Sequence, residues 1–92
     1  MSNLLTIVIP TKNRHFLLDR TLGYYVAANI DANIIIADSS VSELCKENKT
    51  ICTKYSKDLK IEYFHVHEDT ELFKKYSISA DMATTKYILT IG

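Results

Sequence analysis

The chain has 92 residues, of which 47% are hydrophobic and 24% are charged, and this composition is typical of one small globular domain and excludes a disordered chain. Its 11 basic and 11 acidic side chains cancel, so we expect neither a nucleic acid nor an anionic membrane as a partner. No apolar stretch approaches the roughly 20 residues that cross a bilayer, and no signal peptide is recognisable. We therefore expect a cytoplasmic chain without a membrane segment, forming one domain over residues 1–92.

Four segments have the character of β-strands. Nearly continuous apolar runs rich in β-branched residues are typical of strands covered on both faces of a parallel sheet, and partial alternation is typical of a strand nearer the sheet edge. Pro10 should end the first strand, because proline has no N–H for the ladder. The predicted strands cover residues 4–9, 34–37, 61–66 and 86–91.

Helical periodicity fills the segments between these strands. The third helix should be capped by Asp69 or Thr70. Its predicted buried face consists of Phe73, Tyr76, Ala80 and Ala83. The predicted helices cover residues 15–29, 42–56 and about 70–83. Strands and helices that alternate in this way predict an α/β fold with three layers, a parallel sheet and right-handed crossovers.

Polar residues gather where the first two predicted strands end, at residues 10–14 and 38–40. Ligands of open α/β sheets bind at this edge, beyond the carboxyl ends of the strands. Asp38 can accept hydrogen bonds from a ribose hydroxyl or a base N–H. The alternative is that Asp38 is the N-cap of the second helix. No glycine-rich phosphate loop occurs, which disfavours a dinucleotide-binding or P-loop domain.

Three segments carry a more specific pattern. The first is Ile9-Pro10-Thr11-Lys12-Asn13-Arg14, followed by Arg20-Thr21-Leu22; the second is Ala37-Asp38-Ser39-Ser40; and the third is the strand that ends at Gly92. In order and spacing they resemble the N-terminal part of family 2 glycosyltransferases. In that family an I-P-T-x-N-R loop follows the first strand, D-D-G-S or A-D-S-S follows the second, and a metal-binding D-x-D follows the fourth.

The resemblance implies the Rossmann-like half of a GT-A fold, with strand order 3-2-1-4, that binds a nucleotide-diphosphate sugar such as a UDP-sugar. Thr11 would contact the nucleotide, Asn13 and Arg14 would shape the loop beside Pro10, and Asp38 would bind the base or ribose. Lys12 stands where many members have an aromatic residue, and Ser39 where many have a second aspartate. Lys75 is a candidate for the family's basic residue on the third helix, and the alternative is a solvated helix face.

The same resemblance implies Mg²⁺ or Mn²⁺ in the full-length enzyme, where the metal neutralises the leaving diphosphate. Because the D-x-D would follow Gly92, we expect this chain to be a truncated fragment without catalytic residues, bound metal or transfer activity, and its acceptor is unknown. A fourth strand at the sheet edge predicts a homodimer through that edge. The alternative function is a non-catalytic nucleotide-binding regulatory module.

Two further patterns have a plain interpretation. Cys45 and Cys52 lie seven positions apart on one predicted helix, too far apart for a disulfide, and we expect reduced thiols. His65 and His67 alternate on one strand, but with no third ligand nearby in the sequence they are interpreted as ordinary edge residues rather than a metal site.

Overall fold

The computed structural model describes residues 4–91, which form four strands and three helices. The strands are β1 (Leu5–Thr11), β2 (Asn33–Asp38), β3 (Lys60–His65) and β4 (Tyr87–Thr90), and the helices are α1 (His15–Ala27), α2 (Ser42–Tyr55) and α3 (Leu72–Met82). All paired strands are parallel and the order is β3-β2-β1-β4, so the predicted three-layer α/β architecture is confirmed. Gly92, where the third family-like segment ends, lies outside the described residues.

The centre of the sheet is β2, in which every residue is buried. Ile34 and Ile36 belong to the core cluster beneath α1 and α2, together with Leu22 of α1 and Cys52 of α2. Successive side chains of a strand point to opposite faces, so Ile35 points to the face that α3 covers. Burial on both faces explains why the segment is continuously apolar rather than alternating.

Pro10 does not end β1, which continues through Pro10 to Thr11 opposite Asp38, so that prediction is wrong. The Val8 carbonyl accepts a hydrogen bond from Ile91 N–H at 3.0 Å, so Val8 and Pro10 direct their backbone groups toward β4. Among residues 4–91 the last β1–β4 pair is Val8 and Thr90. Pro10 lies beyond that pair, so its missing N–H interrupts none of the β1–β4 pairs that the structure describes.

The helices are short, and within residues 4–91 none is long and apolar enough to span a bilayer. α1 and α2 approach closely where Gly23 of α1 meets Tyr55 of α2. A Cβ atom at Gly23 would lie 3.1 Å from the Tyr55 hydroxyl oxygen, which donates a hydrogen bond to Asp19 at 2.7 Å. Glycine inside this helix costs up to about 1 kcal/mol against alanine. Its small size makes room for the Tyr55–Asp19 contact between the two helices.

α3 differs from its sequence prediction in its start and in its buried face. It begins at Leu72 after Glu71, and no side-chain hydrogen bond caps it, so the predicted cap by Asp69 or Thr70 is wrong. Phe73 is 85% exposed, whereas Lys75 and Ser79 are the buried residues. The covered stripe differs from the apolar stripe because α3 crosses the sheet near the polar carboxyl end of β1, where Lys75 finds a hydrogen-bond acceptor.

The core of α1 provides a matched test of the architecture. Leu22 has no exposed surface and Leu17, on the same helix, is 51% exposed. We expect Leu22→Ala to lower the free energy of unfolding by about 3 kcal/mol, since it leaves a cavity. Leu17→Ala should change it by less than about 0.5 kcal/mol. Urea unfolding followed by circular dichroism measures both, and equal losses in the two variants would contradict the helix orientation.

Candidate functional site

The carboxyl ends of β1 and β2 and the helix α3 meet at one backbone atom, the carbonyl oxygen of Thr11. This oxygen accepts hydrogen bonds from Ser39 N–H at 3.0 Å and from Lys75 Nζ at 3.2 Å. Thr11, Ser39 and Lys75 are all buried. The interpretation of Lys75 as part of a solvated helix face is therefore wrong. Three residues that the sequence singled out come from three segments and lie together at the edge where α/β proteins bind ligands.

Lys75 is buried, and burial disfavours the charged form of its ammonium group. Burial lowers the pKa of its ammonium group, Asp38 acts in the opposite direction, and the nearby positive charge of Lys12 lowers the pKa further. A lysine held in this way is stabilised in its charged form when an anion comes within contact distance. Asp38 already supplies part of this stabilisation, since it raises the pKa of Lys75 against the effect of burial.

Two clefts flank Pro10 and Thr11. One, of about 260 Å³, is bordered by cationic side chains. It is lined by Pro10, Thr11, Lys12, Arg14, Leu72 and Lys75. The other, of about 90 Å³, is mainly apolar and lies where the strand order reverses between β1 and β4. It is lined by Ile9, Pro10, Thr11, Arg14, Leu17, Leu18, Thr21 and Ile91. Arg14 borders both clefts. We call the first the cationic cleft.

The carboxylate of Asp38 has no exposed surface and accepts three hydrogen bonds. Oδ1 accepts from Ser40 N–H at 2.8 Å, and Oδ2 accepts from Asn48 Nδ2 at 3.1 Å and from the Tyr63 hydroxyl at 2.5 Å. The N-cap position of α2 belongs to Val41, with no side-chain cap, so Asp38 is not the N-cap. Asp38 instead folds the turn that precedes α2, in the manner of an Asx-turn.

The loops after β1 and β2 are bonded to each other reciprocally. Asn13 N–H donates to Ser40 Oγ at 2.8 Å, and Val41 N–H donates to Asn13 Oδ1 at 3.0 Å. Asn13 has a φ of 55°, in the left-handed region, which asparagine tolerates better than most residues. Ser40 Oγ also accepts from Asn48 Nδ2 at 3.1 Å. We call these contacts of Asn13, Ser40 and Val41 the loop clasp.

The network around Asp38 extends to β3 and to a thiol of α2. Because the Tyr63 hydroxyl proton points to Asp38, the Cys45 thiol, 3.1 Å from the Tyr63 oxygen, is the donor of that contact. Burial, the hydrogen bond to Asp38 and the contact with Cys45 raise the pKa of Tyr63. Burial and the charge of Asp38 raise the pKa of Cys52 to about 12. Both cysteines are free thiols, as expected, and at neutral pH Cys52 is protonated.

Sequence reasoning missed Asn48 and Tyr63 as parts of this site. Asn48 is fully buried on the otherwise apolar face of α2, and its Oδ1 has no hydrogen-bond partner within the described residues. An asparagine at a position that helical spacing assigns to the core was the available signal, since buried polar groups need partners. Tyr63 lies two residues before His65, which pairs with Asp38 across the β2–β3 ladder, so their side chains share a face.

The histidines and acidic residues do not converge on a cation. His65 Nε2 lies 2.8 Å from the carbonyl oxygen of Ser40 and therefore donates its proton there. His67 is exposed and lies next to Asp69. Among residues 4–91, no group of three or more His, Cys, Asp or Glu side chains is arranged to hold a metal.

Lys75 should destabilise the ligand-free fold. We expect Lys75→Met to raise the free energy of unfolding by on the order of 1 kcal/mol, because it replaces a buried charge by an apolar chain of similar length. The neighbouring exposed Lys74→Met is the matched control and should leave it nearly unchanged. Urea unfolding at pH 7 is the measurement. A loss of stability in Lys75→Met would mean that the Thr11 hydrogen bond outweighs the burial of charge.

Comparison with known proteins adds no assignment, since neither a family model nor a curated protein matches the chain. The site consists of a cationic cleft at the carboxyl edge of a parallel sheet, lined by the end of β1, the loop after it and α3, and this loop is bonded to the loop after β2.

Proposed function

We propose that this chain is the nucleotide-binding part of a family 2 glycosyltransferase and holds the nucleotide of a nucleotide-diphosphate sugar, a UDP-sugar being the expected donor. The observation that carries the proposal is the cationic cleft, in which Lys12, Arg14 and Lys75 lie together beyond the carboxyl end of β1. The adjacent apolar cleft lies at the reversal of strand order, where doubly wound sheets bind nucleotides.

The chemistry of the lining residues suits a diphosphate. Two phosphate groups carry two to three negative charges, and three basic side chains can balance them. Lys75 contributes most per contact, because a charge that is poorly solvated before binding gains most from a counter-charge. Thr11 and Pro10 form the wall between the two clefts, so a ligand with an anionic and a flat apolar part can occupy both.

A divalent metal, Mg²⁺ or Mn²⁺, belongs to this proposal for the full-length enzyme. When bound it neutralises charge on the departing diphosphate. Within residues 4–91 no group of three or more His, Cys, Asp or Glu side chains is arranged to hold it. The part proposed for this chain is to bind and orient the nucleotide, while the acceptor sugar or protein is left to other residues.

The proposal is tested by titrating UDP while following backbone amide resonances. We expect weak binding, in the high micromolar range or above, with the shifts centred on Thr11, Lys12 and Ser39. Lys12→Ala and Lys75→Met should each weaken it about tenfold, which corresponds to about 1.4 kcal/mol. The exposed Lys46→Ala on α2 is the control. Binding should also weaken as salt is added, since the contacts are ionic.

Two outcomes would count against the proposal. If the resonances of Thr11, Lys12 and Ser39 stay fixed at millimolar UDP, the cleft does not bind nucleotides. If UDP binds, a longer chain that continues past Gly92 should hydrolyse UDP-sugars in the presence of Mn²⁺. Binding without turnover in that longer chain favours the regulatory module instead.

We also propose that two copies of this chain pair through β4. All four residues of β4 are exposed, and Tyr87, Ile88 and Leu89 are large and apolar. The N–H of Tyr87 bonds the Leu4 carbonyl, so alternate residues bond β1, and Ile88 and Thr90 direct their backbone groups to the open edge. An apolar edge with free backbone groups is a template for another strand, and antiparallel pairing about a two-fold axis gives a closed dimer.

A pair of proline variants tests the dimer. Thr90→Pro removes a donor from the open edge and should give a monomer that keeps the fold. Leu89→Pro removes a donor that faces β1 and should instead detach β4. Sedimentation velocity over a range of concentrations reports association, and circular dichroism reports the fold. A wild-type chain that stays monomeric at high concentration would refute the dimer.

A further inference from the structure

Asp38 is the residue for which sequence and geometry suggest different roles. The family resemblance gives its carboxylate direct contact with a base or ribose. In the structure the carboxylate has no exposed surface, and its two oxygens already accept three hydrogen bonds from Ser40, Asn48 and Tyr63. A ligand would have to displace at least one of these donors, and each displaced donor would then lie buried without an acceptor, which is costly.

The three donors come from three different parts of the fold. Ser40 belongs to the loop after β2, Asn48 to the buried face of α2 and Tyr63 to β3. Asn48 binds both the Asp38 carboxylate and Ser40 Oγ, at 3.1 Å each, and so fixes the serine side chain relative to the carboxylate. Buried, mutually bonded polar groups of this kind define one arrangement of the segments that carry them.

Hydrogen bonds connect Ser40 and its neighbour Val41 to the loop after β1. The Ser40 hydroxyl oxygen accepts the Asn13 N–H, and Asn13 Oδ1 accepts the N–H of Val41, the residue after Ser40. Asn13 lies between Lys12 and Arg14, two of the three cations of the cationic cleft. The position of these two cations therefore depends on a chain of contacts that begins at Asp38 and never reaches the cleft surface.

The geometry points to Asp38 as a positioning residue, which acts with Asn48 and Tyr63 through the loop clasp to set the Lys12–Arg14 segment, and which does not itself contact the ligand. The part of this inference that concerns ligands rests on the proposed nucleotide site. The part that concerns the loop does not, because the clasp consists of contacts between protein atoms alone.

The first experiment needs no ligand. Amide hydrogen exchange is measured at Asn13 and Val41 in the wild-type chain, in Asp38→Asn, and in Ser40→Ala, which removes the link and keeps the buried charge. We expect exchange at both amides to rise about tenfold in each variant, while Ile35 in the sheet centre stays protected. Thr50→Ala, which loses a comparable side-chain bond on the exposed face of α2, should leave both amides unchanged. Unchanged exchange in Ser40→Ala overturns the inference.

The second experiment separates positioning from contact by comparing UDP with inorganic diphosphate, which has no base or ribose. Positioning predicts that Asp38→Asn and Ser40→Ala weaken both ligands by the same factor, about tenfold. Ser40→Thr, which keeps the hydroxyl, should restore part of the affinity. Weaker UDP binding with unchanged diphosphate binding assigns Asp38 to the ligand and overturns the inference. If the wild-type chain binds neither ligand, the proposed function fails, and the exchange experiment alone decides the role of Asp38.

Discussion

Asp38 carries a carboxylate to a point with no exposed surface, and a buried charge is tolerated only where hydrogen-bond donors surround it. Its position as the last residue of β2 is therefore tied to the placement of three other segments. The Tyr63 hydroxyl adds a side-chain contact to the β2–β3 ladder, the Asn48 amide joins α2 to the carboxylate, and the Ser40 N–H closes the turn after β2. The helices α1 and α2 add apolar packing to the arrangement of segments that the hydrogen bonds of Asp38 join.

Much of the architecture could be predicted because local chemistry and global fold agree in β2 and α1. Three consecutive isoleucines have little alternative to a doubly covered strand, and Leu18 and Leu22 leave one possible inward face for α1. α3 was misjudged because periodicity identifies an apolar stripe, while burial depends on what lies opposite. Phe73 is exposed, whereas Lys75 is buried where its Nζ donates a second hydrogen bond to the Thr11 carbonyl, which also accepts from Ser39 N–H. The segments of the site, residues 10–14 and 38–40, could be predicted from the sequence. Asn48 and Tyr63 could not, because only tertiary contacts bring them to Asp38.

The two buried charged side chains of the site, Asp38 and Lys75, have opposite kinds of surroundings. The negative charge of Asp38 is surrounded by donors within the protein. Lys75 instead borders an open cleft, where burial and Lys12 disfavour its charged form and Asp38 favours it. Selection for stability alone would not favour a lysine buried at the border of a cleft, as Lys75 is. Sites that bind ligands often retain such local costs, which binding then relieves. The Asp38 carboxylate is thus satisfied by donors within the protein, whereas the Lys75 ammonium donates to the Thr11 carbonyl at the border of an open cleft.

Strand order also has a consequence for the sequence of events in folding. The pairs of β1 with β2 and of β2 with β3 join segments separated by a single helix, whereas the pair Leu5 and Tyr87 closes a loop that contains nearly the whole chain. Closing a longer loop costs more entropy, so β4 should join a sheet that the first three strands have already formed. During synthesis from the N-terminus, β4 also leaves the ribosome after the other three strands of this sheet. The apolar cleft between β1 and β4 should thus take shape after β1, β2 and β3 have paired.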